Sequence, residues 1–141
     1  MAEMICQEFA AGRAASVAFI VGDDGAFALP PCWQHLSDDG RFRYLGGECP
    51  IPPEFARRAE SIARQAVACV GGLRGYVGVD VVLGDRDWAI EINPRLTTSY
   101  TGLRKLARFN LAEAILAASN YGPWPRMEWR DDPVTWSVTL R

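Results

Sequence analysis

Residues 75–95 read Gly75-Tyr76-Val77-Gly78-Val79-Asp80-Val81-Val82-Leu83-Gly84-Asp85-Arg86-Asp87-Trp88-Ala89-Ile90-Glu91-Ile92-Asn93-Pro94-Arg95. Two runs rich in β-branched residues flank the turn signal Gly84-Asp85-Arg86-Asp87, the pattern of a β-hairpin. With Asp85-Arg86 as a two-residue loop, Leu83 faces Trp88, Val81 faces Ile90 and Val79 faces Ile92. That is a continuous apolar face, fit for a core. The opposite face pairs Val82 with Ala89, Asp80 with Glu91 and Gly78 with Asn93. A one-residue slip would turn the acids toward the apolar side, so the pattern constrains the register.

Two carboxylates directly opposite on a strand pair repel each other. At ~5 Å and an effective dielectric of ~20 the repulsion is roughly 3 kcal/mol. A divalent cation would reverse its sign, and a shared proton would relieve it. Oxygen ligands converging from neighbouring strands suit a hard cation such as Mg2+, and Arg95, two residues beyond Asn93, is placed to meet a phosphate. The same pattern also fits an ordinary solvated face of an antiparallel sheet.

The remaining composition bounds the class. The chain has 141 residues, enough for one domain with a real core. Hydrophobic residues make up 49% and the formal net charge is −2. No global field therefore draws the chain to nucleic acid or to an anionic membrane. Lys105 is the one lysine. Cys6, Cys32, Cys49 and Cys69 contain no C-x-x-C pair, and with His35 as the one histidine a zinc site has little support. Reduced cysteines, no run approaching the ~20 residues of a membrane span, and an N-terminus without signal-peptide character give a cytoplasmic expectation.

Working outward, the pattern predicts strands at Glu3–Ala10, Ser16–Gly22, Ala26–Leu29 and Cys32–Leu36, with Phe42–Leu45 extended. A helix begins near Pro53 or Glu54, with proline at its first turn. Phe55, Ala59, Ile62, Ala63, Ala66, Val67 and Val70 form its apolar face, and Gly71-Gly72 ends it. Asn110 caps a second helix from Leu111 to about Ser119. A Trp- and Pro-rich segment leads to a last strand at Val134–Leu140. This order implies a single α+β domain over 1–141, a largely antiparallel sheet with helices packed on one face.

The spacing Asp80…Glu91-x-Asn93-Pro94-Arg95 resembles the carboxy-terminal part of the ATP-grasp ligases. The resemblance implies Mg-ATP (or Mn-ATP) as cofactor. Asp80, Glu91 and Asn93 would be metal ligands, and Arg95 would be catalytic, stabilising phosphate or acyl-phosphate charge; a planar guanidinium meets two oxygens at once. Upstream, Cys6-Gln7-Glu8-Phe9-Ala10-Ala11-Gly12-Arg13-Ala14-Ala15-Ser16 is similar to the family's hinge strand. Gln7, Glu8, Phe9 and Ala10 would there meet the adenine edge; Ala14 stands where many members carry a ribose-binding acid. Pro94-Arg95-Leu96-Thr97-Thr98-Ser99-Tyr100 is similar to the tyramine–glutamate ligase branch. Thr97, Thr98 and Ser99 would hold phosphate or a substrate carboxylate, or else form a polar loop capping the next helix.

The family's amino-terminal domain and small lobe, with phosphate-binding lysines and a glycine-rich loop, would precede the hinge. The expectation is therefore of a ligase half that binds Mg-ATP and forms an acyl phosphate in the complete enzyme. It would act on small-molecule carboxylate and amine (or thiol) substrates, with a partner subunit or homodimer completing the cleft. The alternative is a non-catalytic remnant serving as a binding or oligomerisation module. Trp124, Trp129 and Trp136 either build such an interface or cover the core. His35 and Tyr44 are expected to pack, and Arg41 and Arg43 either meet an anion or form a solvated face.

Overall fold

A computed structural model describes residues 5–120 and 122–138. Its centre is β1, Arg13–Gly22, buried without a break from Ala15 to Val21. Ala15, Val17, Phe19 and Val21 enter one core, while Ala18 and Ile20 enter another. A strand apolar at successive positions is one covered on both faces. β1 also pairs along both its edges. β2 (Gly25–Ala28) and β3 (Cys32–Leu36) share one edge, each taking half of β1.

β4 spans Tyr44–Cys49 and pairs with β3. After helix α1, Pro53–Ala68, β5 (Gly75–Leu83) runs along the other edge of β1, from Arg13 opposite Leu83 to Val21 opposite Gly75. β6, Trp88–Asn93, lies outside β5. Helices α2 (Ser99–Leu106) and α3 (Leu111–Ser119) follow, and β7 (Val134–Ser137) closes the far edge against β4. The sheet order is β6-β5-β1-β3-β4-β7, with β2 on β1 and every pairing antiparallel. The α+β class expected from the element order is the one observed.

The helices do not share one face. Ala59, Ala63 and Val67 of α1 pack on the Val17, Val77 and Val79 side. Leu103 and Leu106 of α2 and Leu111, Ala114 and Ala118 of α3 pack on the Ala18, Ile20 and Tyr76 side. The correction follows from β1 itself: a strand apolar on both faces needs cover on both. Trp124, Trp129 and Trp136 lie against the second core. Gly102 makes room for one of them, since a Cβ there would come within 2.1 Å of the Trp136 ring.

Several elements differ from expectation: β1 begins at Arg13 rather than Ser16, β4 runs on to Cys49 beyond Leu45, and α2 is not among the expected elements. Residues 5–10 form no strand, and residues 3 and 4 lie outside the described region. β5 ends at Leu83, opposite Arg13, so no strand of the described fold continues alongside residues 5–10 to pair with them. Phe42 is not extended but has φ +52°. Its turn is held by Asp39, which accepts from Ser37 Oγ, the Arg41 N–H and Arg43 Nη2. Arg43 is thus an ion-pair partner. Val70 lies beyond α1 and is exposed, because the helix stops at Ala68. The described part of the last strand ends at Ser137; residues 139 and 140 fall outside it.

The hairpin carries the most consequential difference. Gly78–Asn93, Val79–Ile92 and Asp80–Glu91 pair as expected, but Val81 then pairs with Ala89 and Val82 with Trp88. Ile90 is the extra residue of a bulge and is 55% exposed. The expected Leu83–Trp88, Val82–Ala89 and Val81–Ile90 pairs do not form. The loop is longer than two residues because α1 holds it: Arg58 donates to Asp87 (Nε to Oδ2, 3.0 Å) and to the Gly84 carbonyl.

All four cysteines are free; Cys32 and Cys49 are buried together, Cys6 and Cys69 exposed. Among the described residues, no helix is long and apolar enough to cross a membrane.

Candidate functional site

Gly78, Asp80, Glu91 and Asn93 share one sheet face because β5 and β6 are in register up to the bulge. Asp80 Oδ1 accepts from Gln34 Nε2 at 2.9 Å, and Oδ2 accepts from Asn93 Nδ2 at 3.3 Å. Asn93 is buried, and its Oδ1 accepts from Arg95 Nη2 at 3.1 Å. Arg95 also donates to the Leu96 carbonyl at 3.2 Å. The result is a chain from β3 through β5 and β6 to the exposed guanidinium. A cavity of about 250 Å³ is lined by Gln34, Tyr44, Asp80, Asn93, Arg95, Thr97 and Thr98.

Burial pushes the Asp80 carboxyl above its ordinary value. The Gln34 hydrogen bond opposes this, the Glu91 charge reinforces it, and Arg95 and Asn93 oppose it. A half-buried carboxylate facing a second one is a place where positive charge is favoured. Among the described residues no three His, Cys, Asp or Glu side chains converge. The two carboxylates are hard oxygen ligands suited to a cation that keeps other oxygen partners of its own, while Asn93 turns its Nδ2 to Asp80 and its Oδ1 to Arg95.

Ser16 supplies a second observation. It stands directly opposite Asp80 on β1, it is buried, and its hydroxyl has no hydrogen-bond partner among the described residues. A buried hydroxyl beside a carboxylate suits a water of a cation's hydration shell. The residues present therefore fit Mg2+.

A family model described as an ATP-grasp domain matches residues 1–99. The chain belongs to the ATP-grasp family. The matched region contains the Asp80–Arg95 constellation. The ATP-grasp chain is 38% identical, over 116 residues, to a tyramine–L-glutamate ligase of Methanocaldococcus fervens. A second such ligase, of Methanocaldococcus jannaschii, is 38% identical over 117 residues. Each alignment covers 82% of this chain but only 38% and 36% of the relative, so the chain spans well under half their length.

Among solved structures, the ATP-grasp chain is similar to an ATP-grasp superfamily protein from Archaeoglobus fulgidus. The TM-score is 0.69 at 30% identity, covering 96% of this chain and 48% of that one. A carboxyaminoimidazole ribonucleotide synthase from Aspergillus clavatus, complexed with ATP, shares the fold with TM-score 0.71 at 23% identity, covering 86% of this chain and 32% of that one.

The residues expected to form the site are not all gathered in one place. Asp80, Asn93, Arg95, Thr97 and Thr98 line the cavity; Glu91, paired opposite Asp80, is exposed and is not among the lining residues. Ser99 turns inward: it is buried, and its hydroxyl lies 3.1 Å from Tyr76 Oη and 2.8 Å from Thr97 Oγ1. The Tyr76–Thr97 contact, 3.0 Å, closes a triangle of three hydroxyls. Thr98 occupies the N-cap of α2 without a capping hydrogen bond from its side chain. Gln7, Glu8 and Phe9 are exposed and Ala10 is half-buried. Phe9 stacks on Phe42 at 6.0 Å, and none of the four lines the cavity.

Gln34, Tyr44 and Ser16 are the members that sequence reasoning missed. Tyr44 accepts from Trp136 Nε1 at 2.9 Å, and burial raises its pKa. Ser16 left a trace, a hydroxyl within an otherwise apolar strand. Gln34 and Tyr44 left none, because their nearness to Asp80 depends on β3 and β4 lying beyond β1 in the sheet.

Proposed function

We propose that the chain supplies the metal and carboxylate wall of an ATP-dependent carboxylate–amine ligase. The observation that carries the proposal is the direct opposition of Asp80 and Glu91, with Asn93 bonded to Asp80 and Arg95 bonded to Asn93. Asp80, Glu91 and Asn93 would hold Mg2+ or Mn2+. When bound, the cation would neutralise and orient the phosphate oxygens of ATP.

The chain's own groups do the rest. Gln34 holds one oxygen of Asp80 and Asn93 the other. Thr97 and Thr98 offer hydroxyl donors to phosphate or carboxylate oxygens, and Arg95 offers two parallel N–H donors where negative charge develops. A carboxylate oxygen attacks the terminal phosphorus of ATP and the bond to ADP breaks. The amine then attacks the acyl phosphate, phosphate leaves, and the ammonium loses a proton to give the amide. The names of the relatives, tyramine–L-glutamate ligases, agree with this substrate pairing. Gln7 to Ala10 remain the proposed adenine-edge segment, and a partner lobe would complete the cleft over the nucleotide.

Calorimetric titration of Mg-ATP into the chain, with Glu91→Gln alongside, tests the proposal. Heat in the parent that is lost in the variant supports it. Absence of heat in both overturns it for this chain and favours the binding-module reading.

A further inference from the structure

Arg95 lines a second cavity, of about 400 Å³, between α3 and the segment that leaves β6. Its walls are Tyr76, Leu96, Tyr100, Ile115 and Leu116, with Arg74 at the rim. Leu96 and Leu116 are 53% and 61% exposed, an apolar lip open to solvent. Tyr76 and Tyr100 meet edge to face at 6.3 Å. The volume lies in the small-ligand range, and an apolar lining with few polar groups is the usual character of such a site.

The charge in this cavity has one sign. Among the described residues, two arginines line it and no acidic side chain does. Arg74 is already bonded to Asp23 and to the Ala118 carbonyl. Among the described residues Arg95 bonds to the neutral oxygens of Asn93 and Leu96, and it lines both cavities at their common boundary. The partition is thin: Tyr76 lines this cavity, and its hydroxyl touches Thr97, which lines the other.

We infer that this cavity receives the apolar or aromatic side chain of the carboxylate substrate, whose carboxylate meets Arg95 at the boundary with the Asp80 cavity. The inference rests on the ligase reading above and adds the substrate class, an arylalkyl or alkyl carboxylate. The amine substrate does not fit here, because an ammonium would approach Arg95 against its charge. An apolar body satisfies Leu96, Tyr100, Ile115 and Leu116, which a second charged group on the substrate would leave facing a desolvated ion.

The test uses 3-phenylpropionate as probe, followed by 1H–15N NMR of the whole chain, with phenethylamine and acetate as controls. The expected result is saturable shifts at Leu96, Ile115 and Leu116 for phenylpropionate, and at least tenfold weaker binding of both controls. Leu116→Asp, at an exposed helix position, is expected to weaken phenylpropionate at least tenfold, whereas Glu60→Gln, on α1 across the sheet, leaves it within about twofold. No binding of phenylpropionate, equal binding of phenethylamine, or indifference to Leu116→Asp overturns the inference. The phenylpropionate titration contains neither nucleotide nor metal and the Mg-ATP titration contains no phenylpropionate, so failure of the nucleotide reading and failure of the cavity assignment are told apart.

Discussion

Asp80 faces Glu91 across the β5–β6 ladder, and the ladder slips by one residue immediately beyond them. The bulge leaves Ile90 outside the core while Glu91 stays opposite Asp80. Like charges directly opposite destabilise a strand pair. Glu91→Gln is therefore expected to stabilise the metal-free chain by about 0.5–1 kcal/mol, the Coulomb figure being reduced by solvent at exposed Glu91. Urea unfolding without divalent ions measures the gain, and a loss of stability would contradict it. Added Mg-ATP is expected to stabilise the parent but not the variant.

Gly78 is the close-approach point of the site. A Cβ there would come within 2.6 Å of Thr97 Cγ2. Gly78→Ala is expected to push Thr97 out of the hydroxyl triangle at a cost of ~1–3 kcal/mol, the range of overpacking changes. Chemical denaturation gives the cost, and loss of Thr97 amide protection in hydrogen exchange locates it.

Tyr76 gives a prediction at alkaline pH. Burial raises its pKa to about 12, opposed by the hydrogen bonds from Ser99 and Thr97. The folded value lies above the ordinary value of 10.0, so the fold favours the neutral phenol. Its contribution is complete below about pH 10 and fades as pH rises toward 12. Unfolding free energy measured across that interval should fall, and Tyr76→Phe should flatten the fall. At neutral pH the same substitution is expected to cost about 1 kcal/mol, since Thr97 and Ser99 keep each other as partners.

Asp87 gives the acid counterpart. The Arg58 hydrogen bonds hold its carboxyl below its ordinary value. The lowered value means that the contribution is present above the unfolded carboxylate pKa, about 3.9, and is lost as pH falls through the folded value. Asp87→Ala is expected to cost ~0.5–1 kcal/mol near neutrality, as a half-exposed pair does, with the difference from the parent vanishing in acid. Denaturation midpoints across pH 2–7 check both signs.

Much of the fold could be read locally. Asn110 caps α3 by accepting from the Glu113 N–H, and the helix runs over the expected Leu111–Ser119. Proline at the first turn placed the start of α1. The period-two pattern placed Asp80 opposite Glu91. These features depend on residues a few positions apart, where spacing and backbone geometry suffice. The bulge at Ile90 was not legible, because it answers to Arg58, a residue of α1 that reaches the loop only after the helix has docked.

The sequence by itself determined the α+β class, the strand pair that sets Asp80 opposite Glu91, and the family, since each is written in periodicity, caps and a short motif. Only the tertiary structure decided that helices cover both faces, that Gln34 and Tyr44 join the site, and that Arg95 divides two cavities. Those facts depend on which strands become neighbours, and strand order is set by burial of the whole apolar surface rather than by any local pattern. Ser16 shows the difference. In the chain it is a hydroxyl among apolar residues, and only its place opposite Asp80 gives that hydroxyl a purpose.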